Sequence, residues 1–321
     1  MANVDLSIII PSKSNNCYIA EIIRRISSEL SGVEVEFIVI DMNSTDNSVI
    51  WALEEIKKND LRGCVIQSGS GTISSALNTG IYKSDGKYIT FVYPSRLYKN
   101  YFKEYLRTAD ENAADFVFAI PSQMSGVESS AEAAICKAGT EIVDSSKLMA
   151  DLIHSRVYFD FTAVMLKREY LLMNHIKFYD EYSFGYVEDF IYNVLLFDPQ
   201  IACADIRLER DPDSVPAKDN PGEIINCYER IDSMIKVYER MKLQRKDNIM
   251  LTELFEGQKL PSVVLSVVDI LLKQGFSYKA VKKSLKQKGY AEYLHSNSRT
   301  SPELKKKLFR WNFVPWKYSV S

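Results

Sequence analysis

Phe37-Ile-Val-Ile-Asp-Met-Asn-Ser-Thr-Asp-Asn-Ser48 is the stretch on which the fold turns. Its first four residues are apolar on both faces, the pattern of a strand inside a parallel sheet rather than on its surface. The strand predicted over Val35 to Asp41 ends in a carboxylate. Ser44-Thr-Asp-Asn then supplies a helix N-cap signal, and Val49, Ile50, Leu53 and Ile56 follow at helical spacing. A buried strand feeding a capped helix is half of a β–α repeat.

The other halves lie on either side. Leu6-Ser-Ile-Ile-Ile10 is a short apolar run stopped by Pro11, and a helix is expected from about Tyr18 to Leu30. Cys64 to Gln67 reads as a third strand, Thr72 to Lys83 as a helix, Tyr88 to Val92 as a fourth strand and Phe116 to Ile120 as a fifth. This alternation implies a mixed, mostly parallel sheet flanked by helices, an α/β fold. Ligands of such sheets sit beyond the C-terminal ends of the strands, which directs attention to Pro11–Asn16, Asp41–Asp46, Gly69–Thr72 and Tyr93–Arg96. Further on, Ser122 to Ser130 reads as a loop, Phe161 to Leu166 as a strand and Val187 to Phe197 as a helix. From about Pro221 the pattern turns helical: Ile224, Ile225, Tyr228, Ile231, Ile235 and Tyr238 mark one face, and Val263–Leu272 and Tyr278–Leu285 supply two more helices. The expected division is 1–218 and 219–321.

The 321 residues, 46% hydrophobic and 26% charged, are enough for a large core with a helical annex and leave no room for extensive disorder. No apolar run approaches the roughly 20 residues that span a bilayer, and the N-terminus has neither the basic nor the apolar segment of a signal peptide. Five widely spaced cysteines without a C-x-x-C pair point to reduced, mostly buried thiols and a cytoplasmic setting rather than zinc or a disulfide framework. His154, His175 and His295 lack metal-ligand spacing. The net charge of −2 hides an asymmetry: residues 273–321 carry twelve Lys/Arg against two Glu. A basic end on an acidic body suits an anionic surface or a phosphate-bearing partner.

Five segments, in order, resemble family-2 glycosyltransferases of GT-A fold. They are Ser7–Pro11, Phe37–Ser48, Ser75-Ala-Leu-Asn-Thr-Gly-Ile81 with Gly86-Lys-Tyr-Ile-Thr-Phe91, Phe178-Tyr-Asp-Glu181 with Val187-Glu-Asp189, and Arg210-Asp-Pro-Asp-Ser-Val215. The likeness covers about residues 5–216. It implies an inverting transfer of a sugar from a nucleoside-diphosphate donor to a glycan or lipid-linked acceptor, in cell-surface polysaccharide synthesis. Such chemistry needs a base for the acceptor hydroxyl and stabilisation of a diphosphate leaving group. The resemblance places Pro11, Lys13, Asp41 and Ser70 at the nucleotide, with a uridine-type contact at Asp41. It makes Asp189 the base and Glu188 a contact to the acceptor. Two plainer roles stay open: Asp41 as a cap of the following helix, and Glu188-Asp189 as an acid pair in a helix's first turn.

One family feature is missing. Strand four should deliver the D-x-D carboxylates that hold Mg²⁺ or Mn²⁺. Here those positions are Tyr93-Pro94-Ser95, followed by Arg96, and no Asp or Glu occurs from Tyr88 to Phe102. Leu77 also replaces the Arg of the family's A-R-N. No cofactor is therefore expected; a divalent metal stays open although its usual ligands are absent. Arg96 and Arg210, with Lys13, are the cations expected to face the diphosphate instead, since guanidinium groups bind phosphate bidentately. The alternative is a catalytically inactive relative that binds nucleotide-sugar, glycan or a partner enzyme. At the C-terminus, Leu304 to Tyr318 mixes cations with Trp311, Phe313 and Trp316. This suits peripheral contact with the inner face of a membrane, or aromatics packed back on the helical region. The helices from Val263 to Leu285 read as core-forming or oligomer-forming. No nucleic-acid partner is expected.

Overall fold

The computed structural model describes residues 4–69, 71–121, 142–211 and 227–318. In chain order its elements are β1 (Leu6–Ser12), α1 (Tyr18–Glu29), β2 (Val35–Asp41), α2 (Ser48–Lys58), β3 (Arg62–Gln67), α3 (Ile73–Lys83), β4 (Tyr88–Phe91), β5 (Tyr98–Lys99), α4 (Phe102–Glu111), β6 (Phe116–Pro121), β7 (Ile142–Val143), α5 (Ser145–Ile153), β8 (Met165–Lys167), α6 (Arg168–Met173), α7 (Tyr186–Leu195) and β9 (Ile201–Arg210). The helices α8 (Glu229–Gln244), α9 (Ile249–Leu254), α10 (Leu260–Lys273), α11 (Tyr278–Gln287) and α12 (Pro302–Phe313) follow.

The chain divides into two compact units: 1–145, 157–181 and 197–218 form one, and 146–156, 182–196 and 219–321 the other. The first holds a nine-stranded sheet in the order β3-β2-β1-β4-β8-β6-β9-β5, with β7 also on β9. Pairings β1–β2, β2–β3, β1–β4 and β6–β9 are parallel. β8 lies antiparallel between β4 and β6. This is the mixed, mostly parallel α/β sheet of the GT-A type.

Every residue of β1 is buried, so both faces of the sheet must be covered. Leu6, Ile8 and Ile10 face one core with Ile19, Ile22, Ile23 and Ile26 of α1 and Phe102, Tyr105 and Ala109 of α4. Ile9, of opposite parity, faces α3. There a Cβ on Gly80 would lie 2.4 Å from Ile9 Cγ2, so glycine is what allows helix and strand to approach. Below the sheet, Glu36 accepts hydrogen bonds from Ser7 Oγ (2.6 Å) and the Asp85 N–H (2.6 Å), giving a buried carboxylate the partners that burial demands.

Several local expectations are corrected. On α2 Ile56 is buried as its spacing suggests, but Ile50 and Leu53 are exposed, and Ala52 and Glu55 are buried instead. Arg24 of α1 grips Glu55 with two hydrogen bonds of 2.9 and 3.0 Å, so an ion pair takes part of that interface. The strand expected over Phe161–Leu166 shrinks to β8, because Asp160 caps a turn through the Thr162 N–H and hydroxyl. β9 has no counterpart among the expected strands; its first half is buried and its second half alternates charged with apolar residues, as a half-buried strand does. Cys203 is disulfide-bonded. Among the described residues the free thiols are Cys17 and Cys64, both exposed, and Cys227, which is buried, against the expectation of reduced, mostly buried cysteines. The segment 122–130, read as a loop, lies outside the described residues.

In the second unit, α10 buries Val263, Val264, Val267, Val268 and Leu271 and packs against α8 and α11. On α8 the buried residues are Ile231, Met234, Val237 and Met241. Ile235 and Tyr238 are only partly covered, and Ile224 and Ile225 lie outside the described residues. No described helix is long and apolar enough to cross a membrane.

Candidate functional site

Parallel pairing aligns Ser12, Asp41 and Gln67 at the ends of β1, β2 and β3. The ladder continues one step beyond, through Met42 N–H to Ser12 O (2.8 Å) and Ser68 N–H to Asp41 O (2.9 Å). Asp41 is 2% exposed. Its carboxylate accepts from the Ser44 N–H at 3.3 and 3.4 Å, long contacts that leave lone pairs for another donor. Its role as a cap is thus partial.

The two loops around it are tied to each other. Ser14 N–H donates to Ser44 Oγ (2.9 Å), and Asn16 N–H donates to Asp46 Oδ2 (2.9 Å) and Ser48 Oγ (2.7 Å). Asp46 also accepts from the Ser48 N–H (3.0 Å), so it caps α2 from outside rather than sitting in its first turn. Ser14, Asn16 and Asn43 have φ of 51°, 51° and 60°. Left-handed backbone at three non-glycine positions around one carboxylate is the kind of strain that clusters at ligand sites. Pro11 is buried within β1, Lys13 is exposed just beyond it, and Ser70 lies outside the described residues.

Two of the ordered motifs meet in space. Asn78 donates to the Phe178 carbonyl and accepts from its N–H, both at 2.8 Å. The Phe178 ring meets Phe91 edge-on at 5.3 Å.

At the end of β4, Arg96 N–H closes a turn on the Tyr93 carbonyl (2.8 Å). Arg210 Nη2 donates to the Ser95 carbonyl at 3.4 Å, so Arg96 and Arg210 do flank the same turn. The region is not free of acid, however. Asp160, with a side chain only 5% exposed, reaches it from a distant segment and lies 3.6 Å from Arg96 Nη1. Its Oδ2 accepts from Tyr98 OH (2.5 Å), and its Oδ1 accepts from the Thr162 N–H (2.9 Å) and hydroxyl (2.7 Å). Burial, then the Asp160 carboxylate, raises the Tyr98 phenol well above its ordinary value. The picture of a purely cationic turn is corrected: Arg96 already has a counter-charge, although at 44% exposure such a pair is worth about 1 kcal/mol or less. Sequence offered no signal for Asp160, because its approach depends on the turn that replaced the expected strand.

Among the described residues the turn does not fit a divalent cation, which takes several oxygen ligands: the carboxylate that meets it, Asp160, is already committed to Tyr98, Thr162 and Arg96. Beside the turn a cavity of 460 Å³ is lined by Arg25, Phe91, Arg96, Tyr98, Lys99 and Asp211, among others. Arg25 and, at 3.8 Å, Lys99 pair with Asp211 there.

In the second unit, Gly185 (φ 82°) caps α7, which carries Glu188 and Asp189 in its first turn. Glu188 accepts from Lys259 Nζ (2.5 Å) and Arg230 Nε (3.3 Å). Burial acts to raise its pKa, but these two cations win and hold it below the ordinary carboxylate range. Lys259 sits in the π-helical turn Phe255–Lys259, a local irregularity common at functional positions. Asp189 has a side chain 0% exposed; Oδ1 is 2.5 Å from Arg240 Nη2, and Oδ2 has no hydrogen-bond partner among the described residues. Here burial outweighs Arg240 and pushes the carboxyl up to about 6. One oxygen is anchored and the other keeps its lone pairs. Arg230, Arg240 and Lys259 were not singled out from sequence, since nothing in their spacing marks them.

The family model described as glycosyl transferase family 2 matches residues 7–122. A curated relative, the minor teichoic acid biosynthesis protein GgaB of Bacillus subtilis (strain 168), is 30% identical over 122 residues. That stretch is 37% of this chain and only 14% of the relative. Among solved structures, S. aureus TarS 1-349 is 16% identical, covering 96% of this chain and 87% of its own, with a TM-score of 0.64. Its complex with UDP-GlcNAc gives 0.66. The mannosyltransferase PcManGT of Pyrobaculum calidifontis, in complex with GDP-Man and Mn²⁺, is 14% identical, covers 97% of this chain and 86% of its own, and gives 0.53. At such identities the structural likeness carries the fold alone.

Proposed function

From a family 2 glycosyltransferase domain of GT-A fold, we propose that the chain binds a nucleoside-diphosphate sugar at the ends of β1, β2 and β4. We propose further that it transfers the sugar, with inversion, to a glycan or lipid-linked acceptor of cell-surface polymer synthesis, at the inner face of a membrane. The observation that carries this is Asp41: a buried carboxylate at a strand end, weakly satisfied, framed by two loops with left-handed residues. The TarS complexes with UDP-GlcNAc and UDP support a uridine diphosphate sugar as the donor.

Asp41 accepts from the nucleoside, with Pro11 and Lys13 on the neighbouring strand end; Ser70, outside the described residues, would be a further nucleotide contact. Arg96 and Arg210 offset the charge that develops on the departing diphosphate, in place of metal. Glu188 serves the acceptor side. Asp189 takes the acceptor hydroxyl's proton, a task suited to a carboxyl that titrates near the working pH.

Binding without turnover is the second reading, favoured by two observations: Asp189 is sealed against Arg240, and Arg96 is partnered by Asp160. Release of labelled sugar from UDP-GlcNAc separates the two. Transfer that falls about 100-fold or more in Asp189→Asn supports the enzyme. Donor binding with no turnover in the unaltered chain assigns a binding role, and turnover unchanged in Asp189→Asn removes that residue as the base.

A further inference from the structure

We infer that the outer face of α12 and the turn after it form a docking surface for an anionic lipid bilayer. The helix divides its residues sharply. Leu304, Leu308 and Trp311 are buried, Trp311 to 1%, and Trp311 is locked in place by Tyr278, whose ring lies 4.5 Å away and whose hydroxyl donates to the Trp311 carbonyl. Phe309, Phe313 and Trp316 point the other way, at 57%, 69% and 78% exposure. Phe309 and Phe313 are one helical turn apart, with ring centroids 5.4 Å apart. Large aromatics this exposed, in one row, are uncommon unless something covers them.

The cations say what covers them. Lys305, Lys306, Arg310 and Lys317 line the same groove with Phe309 and Phe313, and no acidic side chain does. None of the four forms an ion pair among the described residues. Lys307, by contrast, is spent on Asp269 at 2.7 Å. Lys282 of α11 approaches the Asn312 carbonyl at 3.5 Å, extending the basic surface onto a second helix. An aromatic row edged by unpaired cations has the chemistry of the membrane interface, where rings sit at headgroup level and Lys/Arg meet anionic lipid. A second copy is a poor occupant, because a symmetric contact would press like charges together. A soluble polyanion would use the cations and leave the rings in water.

The inference rests on the proposed use of a membrane-borne acceptor only for its purpose; the surface stands on its own chemistry. The test is co-sedimentation of the full chain with phosphatidylcholine vesicles, with and without phosphatidylglycerol. Binding is expected only with phosphatidylglycerol. It should weaken about tenfold in Phe313→Ser/Trp316→Ser and again in Lys306→Glu/Arg310→Glu, with unchanged melting and unchanged UDP binding in both. Absence of binding to the anionic vesicles overturns the inference. So does binding that inorganic polyphosphate abolishes and the aromatic changes leave intact, which marks a polyanion site, or aromatic changes that alter only self-association. UDP binding read on the same samples keeps this outcome separate from that of the donor site.

Discussion

Asp189 and Arg96 are opposite cases of a charged group under constraint. The Asp189 carboxyl titrates at about 6 in the folded chain, above the roughly 3.9 of an unfolded aspartate. The folded state therefore holds the extra proton between those values. Any stability this group contributes is complete below about pH 4 and is lost as pH rises through about 6. Activity should run the other way: transfer should climb through about pH 6 as the carboxylate forms, and that limb should vanish in Asp189→Asn. A flat rate from pH 5 to pH 8 (about one unit either side of the ordinary working range) would rule out titration of this base. Arg96 is half exposed and loosely paired, so it has freedom to meet a phosphate. Arg96→Ala should weaken UDP binding about 10- to 100-fold, the size of a charged hydrogen bond, and leave uridine binding unchanged. Equal loss for both ligands would mean that Arg96 shapes the loop and does not touch the diphosphate.

At the scale of elements, β1, β2 and β4 are legible because helices cover the sheet on each side and their residues are mostly apolar, whereas β3 is legible from its short Cys64–Ile66 run although it is largely exposed. β9 has no counterpart among the strands expected from sequence, although Asp205 to Glu209 alternates charged with apolar residues, the pattern of a half-buried strand. α2 is visible as a helix, but its buried face is not, since Glu55 takes an inward position through Arg24. α12 looked like a basic tail because five of its residues are charged, although Leu304, Leu308 and Trp311 are spaced to anchor it. The glycine of Asn78-Thr-Gly80 is a packing residue as much as a motif residue. Gly80→Ala should drive a methyl into Ile9 and destabilise the chain by about 1–3 kcal/mol, read as a lower melting temperature. An unchanged melt would show that α3 is free to shift away from β1.

For the whole molecule, the strand-end carboxylate of the first unit was legible and the other candidate residues only in part. Asp41 announces itself by ending a buried strand before a capped helix. Asp160 does not, because it comes from a segment more than sixty residues beyond the turn it joins. The Glu188-Asp189 pair was visible, but its cations were not: Arg230, Arg240 and Lys259 come from α8 and the π-helical turn, where sequence shows only ordinary basic residues on helices. The account therefore rests most heavily on a donor site that works without metal, with Asp41 at the nucleoside. Calorimetric titration of UDP into the full chain, with Mn²⁺ and then with EDTA, tests it most directly. The prediction is saturable binding of equal affinity in both conditions, reduced at least about tenfold in Asp41→Asn. Binding that appears only with Mn²⁺, or that Asp41→Asn leaves intact, would contradict it.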